Sequence, residues 1–267
     1  MFDKEYFNLG YLDTLSYRET VVHRLDPRAK LIATVLFIVT VVSFPKYEIT
    51  GLLPFLLFPV ILFSLGEIPV KFIMKKVLLV SSFAVFIGIF NPLLDRRVVY
   101  SLLGLPLPGG WISFFSIMMK FFLTVTAALL LIATTSFPRI CHALQKLGMP
   151  GIFVAQLLVL YRYLFVLADE TMRLVRARDM RSFGKKGRGM KAFVYLAGTL
   201  FLRTIERAER IYQGMLSRGF TGRLHSTRAY RFGGADAAFL CVTIALLYLF
   251  RAHDVVGVIG RFSVGVF

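Results

Sequence analysis

The sequence predicts an all-α, polytopic membrane protein with about five transmembrane helices and a basic helical module on the cytoplasmic side. The 267 residues are 57% hydrophobic and their mean hydropathy is +0.71, whereas the apolar share of soluble domains is about 45–50%. The net charge of +17 is concentrated in residues 169–231, which hold fifteen basic and five acidic side chains. An apolar chain with one strongly cationic segment is typical of a membrane protein that exposes that segment on one side of the bilayer.

Five apolar stretches are predicted to cross the membrane. Spanning about 30 Å of hydrocarbon takes about 20 helical residues, and somewhat fewer when the flanks are interfacial. Helix-breaking residues mark the boundaries, since Pro45 lies between the first two stretches and Gly66 and Pro69 follow the second. Lys120, inside the fourth stretch, is expected to snorkel towards the interface. The five stretches are residues 29–44, 49–65, 77–92, 114–135 and 235–250.

A sixth apolar stretch, residues 152–168, is interrupted by Arg162. A central arginine costs about 2.5–3.5 kcal/mol on insertion scales, which several leucines can offset, so hydropathy alone does not decide whether it crosses. The rule that basic residues stay on the cytoplasmic side does decide it. If the basic residues between the second and third spans are cytoplasmic, residues 169–231 are cytoplasmic only when residues 152–168 do not cross the membrane. We therefore expect residues 152–183 to form one long cytoplasmic helix.

Two further helices complete the predicted basic module. Residues 190–218 carry an apolar stripe at helical spacing, and Gly219 with Phe220 is placed to close that helix in a Schellman cap. Residues 137–147 form a short amphipathic helix that ends before Gly148. Glu206 and Arg210 are spaced for an ion pair within the second long helix. The two long helices are expected to form an antiparallel or crossing pair.

The predicted organisation has four parts: an N-terminal cytoplasmic segment, transmembrane helices 1–4, the cytoplasmic module, and a last transmembrane helix with the C-terminus. These parts are residues 1–28, 29–135, 136–231 and 232–267.

Catalytic and metal-binding patterns are not found in the sequence. The four histidines lie in separate regions, and the two cysteines, Cys141 and Cys241, are far apart beside apolar stretches. No phosphate-binding loop and no nucleophile with a matched base is found. We expect no catalytic residue, no metal site and no cofactor in this chain. A nucleic-acid partner is not expected either, because no recognition signature accompanies the charge.

Two arginines, Arg178 and Arg218, stand near the ends of the two long helices. One interpretation is helix capping, since a cation near a helix C-terminus gains about 0.3–1 kcal/mol from the dipole. The other is docking, since the planar guanidinium binds carboxylates through two hydrogen bonds. From the residues alone both interpretations remain open.

Three motifs in order resemble the T components of energy-coupling-factor transporters. The run LDPRAKL at residues 25–31 looks like their LDPRxKL sequence, and residues 135–150 look like their short coupling helix with its LxxLGxP ending. Arg178 and Arg218 fall where the family has two Ala-Arg-Gly-type motifs. The run MLSRGFTGR at 215–223 and residues 11–16 look closest to the cobalt-type CbiQ subgroup.

This resemblance implies a non-catalytic transmembrane subunit of an ATP-driven importer in a bacterial or archaeal plasma membrane. The implied partners are two ATP-binding cassette ATPases, the lipid bilayer and a substrate-specific membrane S component, CbiM-like and possibly accompanied by a small CbiN-like subunit. ATPase docking is implied for Ala177, Arg178, Asp179, Ser217, Arg218 and Gly219. A coupling surface is implied for Leu144, Leu147, Leu200, Ile211 and Met215.

Two positions depart from the family pattern, because Asp179 stands in place of glycine and Ser217 in place of alanine. Asp179 could pair with a basic neighbour and weaken the first docking contact. Cobalt is the preferred substrate, with nickel or a vitamin as alternatives. Rivals of another class are a stand-alone secondary transporter, a membrane enzyme, and a membrane-anchored nucleic-acid binder.

Overall fold

The computed structural model describes residues 13–94, 98–102, 105–182, 189–222 and 232–252. The elements, in chain order, are α1 (Val21–Arg24), α2 (Pro27–Val42), a 3-10 helix (Thr50–Leu56), α3 (Leu57–Gly66), α4 (Val70–Gly88), α5 (Phe90–Leu94), β1 (Val98–Leu102), β2 (Leu105–Pro108), α6 (Gly109–Thr134), α7 (Phe137–Lys146), α8 (Gly151–Arg181), α9 (Met190–Ser217) and α10 (Gly234–Ala252).

The protein is an all-α, polytopic membrane protein, as predicted. Four segments have the length and composition to cross a membrane, namely Val70–Pro92, Gly109–Thr134, Gly151–Arg181 and Gly234–Ala252. Residues Thr50–Gly66 form a shorter apolar segment that bends from a 3-10 helix into α3. The short antiparallel hairpin of β1 and β2, which we did not predict, joins α5 to α6.

The observed helices differ from the predicted spans at several of their ends. The first, predicted at 29–44, is α2 at Pro27–Val42, which has the predicted length of 16 residues, about 24 Å, and is shorter than the hydrocarbon thickness. The fourth, predicted at 114–135, begins at Gly109. The third, predicted at 77–92, begins at Val70 because Pro69 takes the N-cap position. Lys71, Lys75 and Lys76 therefore lie in the first two turns of α4 and not in a loop.

The chain folds as two compact units. Of the described residues, the first unit, here called the membrane unit, contains 13–94, 98–102, 105–136 and 232–252. The second, the coupling unit, contains 137–182 and 189–222 and consists of α7, α8 and α9. The four-part division predicted above stays a prediction.

Helix α6 is the centre of the membrane unit. It packs against α2, α3, α4 and α5, and its buried side chains contribute to both apolar clusters of the core. In one cluster Phe37 is fully buried and stacks on Phe58 at 4.4 Å between ring centroids. The outward side of α4 carries exposed apolar side chains such as Leu79 and Phe83, as expected of a surface in contact with lipid.

Helices α2 and α6 run antiparallel, and a lysine from each caps the other. Lys30, near the start of α2, donates from Nζ to the carbonyl oxygen of Thr134 at 2.9 Å. Lys120 of α6 donates to the carbonyl oxygen of Phe44, just beyond α2, at 2.6 Å. The last carbonyls of a helix lack partners within it, so each lysine satisfies groups that water cannot reach inside a bilayer. Lys120 thus binds the carbonyl at the end of the neighbouring helix, whereas the sequence predicted that it would snorkel towards the interface.

Candidate functional site

The two long helices of the coupling unit form an antiparallel pair. Near their middle, Arg203 of α9 donates to the Glu170 carboxylate of α8 at 2.7 Å. At one end, Ile152 lies 3.5 Å from the position of a Cβ on Gly222. At the other end, Arg178 and Tyr195 line the same groove. The expected pairing of the two helices is confirmed. The ion pair that forms joins Glu170 of one helix to Arg203 of the other, whereas the predicted pair of Glu206 and Arg210 is not found among the described residues.

An apolar groove of about 590 Å³ runs between the α8 start and the α9 end. Its walls are largely aliphatic and aromatic, and they include Ile211 and Met215 from the predicted coupling surface. Helix α9 has no buried residue, and α8 has only Val154 and Ala155. The groove is lined by Ile152, Ala155, Gln156, Val159, Leu160, Tyr163, Leu167, Thr204, Arg207, Ala208, Ile211, Tyr212, Met215, Phe220 and Gly222.

The other three residues of the predicted coupling surface lie outside this groove. Leu144 and Leu200 are half-buried, and Leu147 is 48% exposed. Helix α9 also exposes Phe201 and Leu202, each 63% accessible, which are not part of the predicted stripe. The apolar surface of α9 is therefore broader than one stripe.

Arg178 lies in the last turn of α8 and is already engaged. Its Nη2 and Nε donate to Oδ1 of Asp179 at 2.8 and 3.2 Å. The Arg178 side chain is 26% exposed and the Asp179 side chain 43%. The basic neighbour anticipated for Asp179 is thus Arg178 itself. Ala177 is half-buried and lines the adjacent groove of about 680 Å³.

Arg218 is the C-cap residue of α9, and it is exposed. Among described residues its guanidinium makes no hydrogen bond or ion pair. Ser217, beside it, donates to the carbonyl oxygen of Gln213 at 2.9 Å. Among the described residues, therefore, one of the two arginines is held by a carboxylate and the other has no such partner.

A Schellman cap fixes the chain after Arg218, as predicted. Gly219 has φ +76°, its N–H donates to Leu216 at 2.9 Å, and the Phe220 N–H donates to Met215 at 3.0 Å. These are the two bonds of that motif. The left-handed conformation at Gly219 turns the chain sharply away and leaves Arg218 at the tip of the helix.

Helix α7 ends in the same way, within the LxxLGxP sequence. Gly148 has φ +107°, its N–H donates to Gln145 at 3.3 Å, and the Met149 N–H donates to Leu144 at 3.1 Å. The glycine of this sequence is therefore required by the backbone conformation. Pro150 then takes the N-cap position of α8, so the motif is a helix–turn–helix junction.

The antiparallel pairing places Arg178 and Arg218 at opposite ends of the pair. Ile152 and Arg178 are separated by 26 residues along α8, about 39 Å of helix, and Ile152 lies beside the segment that follows Arg218. Two cationic tips at this separation cannot serve one small ligand. They can serve two separate protein surfaces.

Sequence reasoning missed a buried polar cluster in the membrane unit, here called the α2 junction: Asp26, Lys30, Thr134, Gly233 and Asp236. The Asp26 N–H donates to Oδ1 of Asp236 at 2.7 Å, and the Gly233 N–H donates to Oδ2 of Asp236 at 2.8 Å. Lys30 binds the end of α6 as described. Three of its members carry charged side chains that are at most 7% exposed. The sequence feature that could have indicated this cluster is the presence of Lys30 and Asp236 at the edges of two predicted spans.

No metal-ligating or catalytic cluster is found among the described residues. These residues contain no group of three or more His, Cys, Asp or Glu side chains placed to hold a metal ion. Cys141 and Cys241 are free thiols. Cys141 of α7 is buried, and the loss of solvation raises the pKa of its thiol, which favours the unreactive protonated form.

Comparison with known proteins identifies the family. A family model described as "CbiQ: Cobalt transport protein" matches residues 18–229. The chain belongs to this family. The match covers α1 to α9 and includes both arginine tips and the α2 junction except Gly233 and Asp236. The resemblance inferred from the three motifs is therefore confirmed.

Individual relatives of this CbiQ family member carry two kinds of name. It is 26% identical over 254 residues to an energy-coupling factor transporter transmembrane protein of Ruminiclostridium cellulolyticum, covering 86% of this chain and 94% of that one. It is 28% identical over 102 residues to a cobalt transport protein CbiQ of Salmonella typhimurium, covering 38% and 45%. It is 36% identical over 90 residues to a fused cobalt transport protein CbiMQ of Methanocorpusculum labreanum, covering 33% and 15%.

The CbiQ-family chain is thus a transmembrane component of an energy-coupling-factor transporter. The docking and coupling roles of the residues described above remain predictions.

The cap at Gly219 provides a stability test. Gly219→Ala should destabilise the last turns of α9 by about 1–2 kcal/mol, because an alanine is strained at positive φ. The matched control is Gly214→Ala in the same helix, where no atom lies within 4 Å of a new Cβ, and which should stabilise the helix by about 0.5–1 kcal/mol. Hydrogen exchange of the amides of residues 212–218 measures both. Equal exchange in the two variants would contradict the cap.

Proposed function

We propose that this chain is the T component of an energy-coupling-factor importer for cobalt. It passes the closing movement of two ATP-binding cassette ATPases to a substrate-binding membrane subunit. One observation carries the proposal: α8 and α9 run antiparallel, with an arginine at each of the two opposite ends. Two arginine tips on one helix pair fit a partner that has two like halves, as a dimer of ATPases has.

The chemistry of docking rests on the guanidinium group. Arginine presents a planar set of donors that binds carboxylates in a bidentate manner, and such charge-assisted bonds are roughly twice as strong as neutral ones. Arg218 offers this group directly. Arg178 must exchange the Asp179 carboxylate for one on the partner, so its net gain on docking is smaller.

Transmission of the movement rests on the helices and their apolar surface. A helix of 28 residues is about 42 Å long and can move as a rod. The groove containing Ile211 and Met215 and the exposed side chains of α9 form an apolar surface larger than monomeric proteins usually leave uncovered. We assign this surface to contact with the S component and, at its edges, with lipid.

The substrate assignment rests on the family and on two relatives. The family model and the two shorter matches are named for cobalt transport. Three matches that span most of both chains are named for energy coupling without a substrate, which favours a T component for a vitamin as the second candidate. Nickel is the other metal to test. A separate S component selects the substrate under this proposal.

This chain performs no bond chemistry under the proposal and binds no cofactor; its partners hydrolyse ATP. The rival membrane enzyme or stand-alone transporter would need a polar constellation within the spans. Each buried charged side chain of the α2 junction bonds a backbone group, although Oδ2 of Asp26 has no hydrogen-bond partner among the described residues. That arrangement supports a structural role for them and does not provide a transport path.

The orientation assigned to the chain places its N-terminus and the coupling unit in the cytoplasm, in a bacterial or archaeal plasma membrane. Helix α8 is long and apolar enough to cross a bilayer, so its position is the feature to test. The charge rule favours a cytoplasmic α8, because a crossing would place residues 182–231 outside.

Removing both tips should uncouple the ATPases. In Arg178→Ala with Arg218→Ala, copurification of the ATPases should fall at least tenfold, since two charge-assisted contacts worth about 1.5–3 kcal/mol each are lost. The amount of chain in the membrane should not change. Arg210→Ala, an exposed arginine on the same helix, is the matched control. Undiminished copurification in the double variant would overturn docking by these residues.

Asp179→Gly should strengthen docking at the first tip. It restores the residue expected from the resemblance and frees Arg178 from its 2.8 Å bond. The affinity for the ATPases, measured by titration of the purified chain, should rise about threefold to tenfold, and the gain should disappear when Arg178 is also replaced by alanine. A gain that survives in the double variant would show that Asp179 acts by another route.

Cysteine labelling tests the orientation. In a chain with Cys141→Ala and Cys241→Ala, Met190→Cys, at a position that is 77% exposed, should react with an impermeant maleimide only after right-side-out vesicles are opened. Trp111→Cys, at the start of α6 and 51% exposed, should react in sealed vesicles. Labelling of position 190 in sealed vesicles would show that α8 crosses the membrane, and the proposed function would then fail.

A further inference from the structure

Two covalent connections between the units, the one after Ser136 and the one ahead of α10, meet the membrane unit at the α2 junction. A third, between Tyr11 and Leu12, lies outside the described residues. The chain leaves the membrane unit after Ser136 and re-enters it ahead of α10. Thr134 lies two residues before the exit, and Gly233 and Asp236 lie at the start of α10. Thr134 accepts from Lys30 in the first turn of α2. Asp236 accepts from the N–H of Asp26, the N-cap residue of α2, and from the N–H of Gly233.

Lys30 fixes the exit. Its side chain is buried, and its ammonium group donates to the Thr134 carbonyl at the end of α6. Thr135 and Ser136, which continue towards α7, are themselves 0% and 3% exposed. The last residues before the coupling unit are therefore held inside the membrane unit.

Asp236 fixes the return. One carboxylate oxygen accepts the Asp26 N–H and the other accepts the Gly233 N–H. Both bonds have a charged acceptor, and such bonds are shorter and stronger than neutral ones. The carboxylate is 7% exposed, so replacing these bonds with water is unfavourable.

One helical turn connects the two anchors. Asp26 caps α2 by accepting the Arg28 N–H at 2.8 Å, and its carbonyl accepts the Lys30 N–H at 3.3 Å. A displacement at either connection therefore reaches the same turn of the same helix. That turn begins the α2–α6 pair on which the membrane unit is built.

We propose that Lys30, Asp26 and Asp236 are positioning residues for coupling: they hold both connections so that movement of the coupling unit enters the membrane unit as a rigid displacement. Without them, movement of the coupling unit is lost before it reaches the membrane unit. The inference rests on the proposed function, because it needs a force that arises outside the membrane unit. Nothing in it depends on which substrate is carried.

The decisive variant is Lys30→Met, which keeps a long apolar side chain and removes the donor to Thr134. Lys120→Met is its matched control, because Lys120 makes the same bond at the other end of the same helix pair, remote from both connections. If the lysines act only on bundle stability, the two variants should behave alike. If Lys30 positions the connections, only its variant should uncouple.

The experiment uses the complete transporter in proteoliposomes and measures assembled complex, ATP hydrolysis and uptake of radiolabelled Co²⁺. Lys30→Met should assemble and hydrolyse ATP within twofold of the unmodified complex, while Co²⁺ transported per ATP falls at least fivefold. Lys120→Met should keep that ratio within twofold, and Lys30→Arg, which keeps a donor, should recover part of it. The proposal is overturned if Co²⁺ uptake falls only in proportion to the amount of assembled complex. It is also overturned if the Co²⁺ transported per ATP falls equally in Lys30→Met and Lys120→Met.

Asp236→Asn keeps an oxygen for the Asp26 N–H but loses the acceptor for Gly233. The amount of Co²⁺ transported per ATP hydrolysed should fall at least twofold in this variant. If Lys30→Met does not assemble, this measurement tests the proposal in its place. An unchanged ratio in this variant overturns the role of Asp236.

A second readout is independent of the substrate. Spin labels at positions 17 and 190, one on each unit and both on exposed residues, report the spread of distances between the units in a chain without Cys141 and Cys241. Lys30→Met should widen this spread about twofold, and Lys120→Met should not. Equal spreads overturn the inference. If the unmodified complex transports neither Co²⁺ nor Ni²⁺ with ATP, the proposed function as a metal importer is wrong. The spread of distances between the two labels then tests the positioning role by itself.

Discussion

The membrane unit depends on the antiparallel pairing of α2 and α6, closed at each end by a lysine. A helix leaves its last carbonyls without partners, and hydrocarbon supplies no water to satisfy them. Lys30 and Lys120 provide these donors reciprocally. Along α2, Lys30 and Phe44 are 14 residues apart, and along α6, Lys120 and Thr134 are also 14 residues apart, about 21 Å of helix. Because the two spacings match, the two bonds fix the register of the pair. Helix α10 joins this frame through Asp236 and Asp26.

The coupling unit is built on a different physical basis. Its long helices share one ion pair near the middle, between Glu170 and Arg203, and an open apolar groove. Because α9 buries no residue, little packing within the described chain fixes its position. A helix pair of this kind gains stability from partners, which agrees with its assignment as the element that moves. The described residues of the coupling unit therefore expose most of their apolar surface.

The two arginine tips are chemically unequal, and the difference comes from one residue. Asp179 binds the Arg178 guanidinium, whereas Arg218, at a glycine-terminated helix end, makes no ion pair among the described residues. An exposed ion pair contributes little to stability, so the Asp179 contact is weak enough to exchange for another carboxylate. Under the proposed docking, the two tips would bind ATPase carboxylates with different affinities.

Composition, periodicity and turn residues determined most of the local structure. Apolar length and the charge pattern predicted the helical membrane class, and Gly219 with Phe220 predicted the cap of α9, because these features depend only on neighbours along the chain. The start of α4 at Val70 was missed because the three lysines of its first two turns interrupt the apolar stretch. The pairing of Lys30 with Thr134 and of Asp26 with Asp236 joins residues more than a hundred positions apart. Only the tertiary structure decides such contacts, since no local pattern indicates which helix end a buried charge will satisfy.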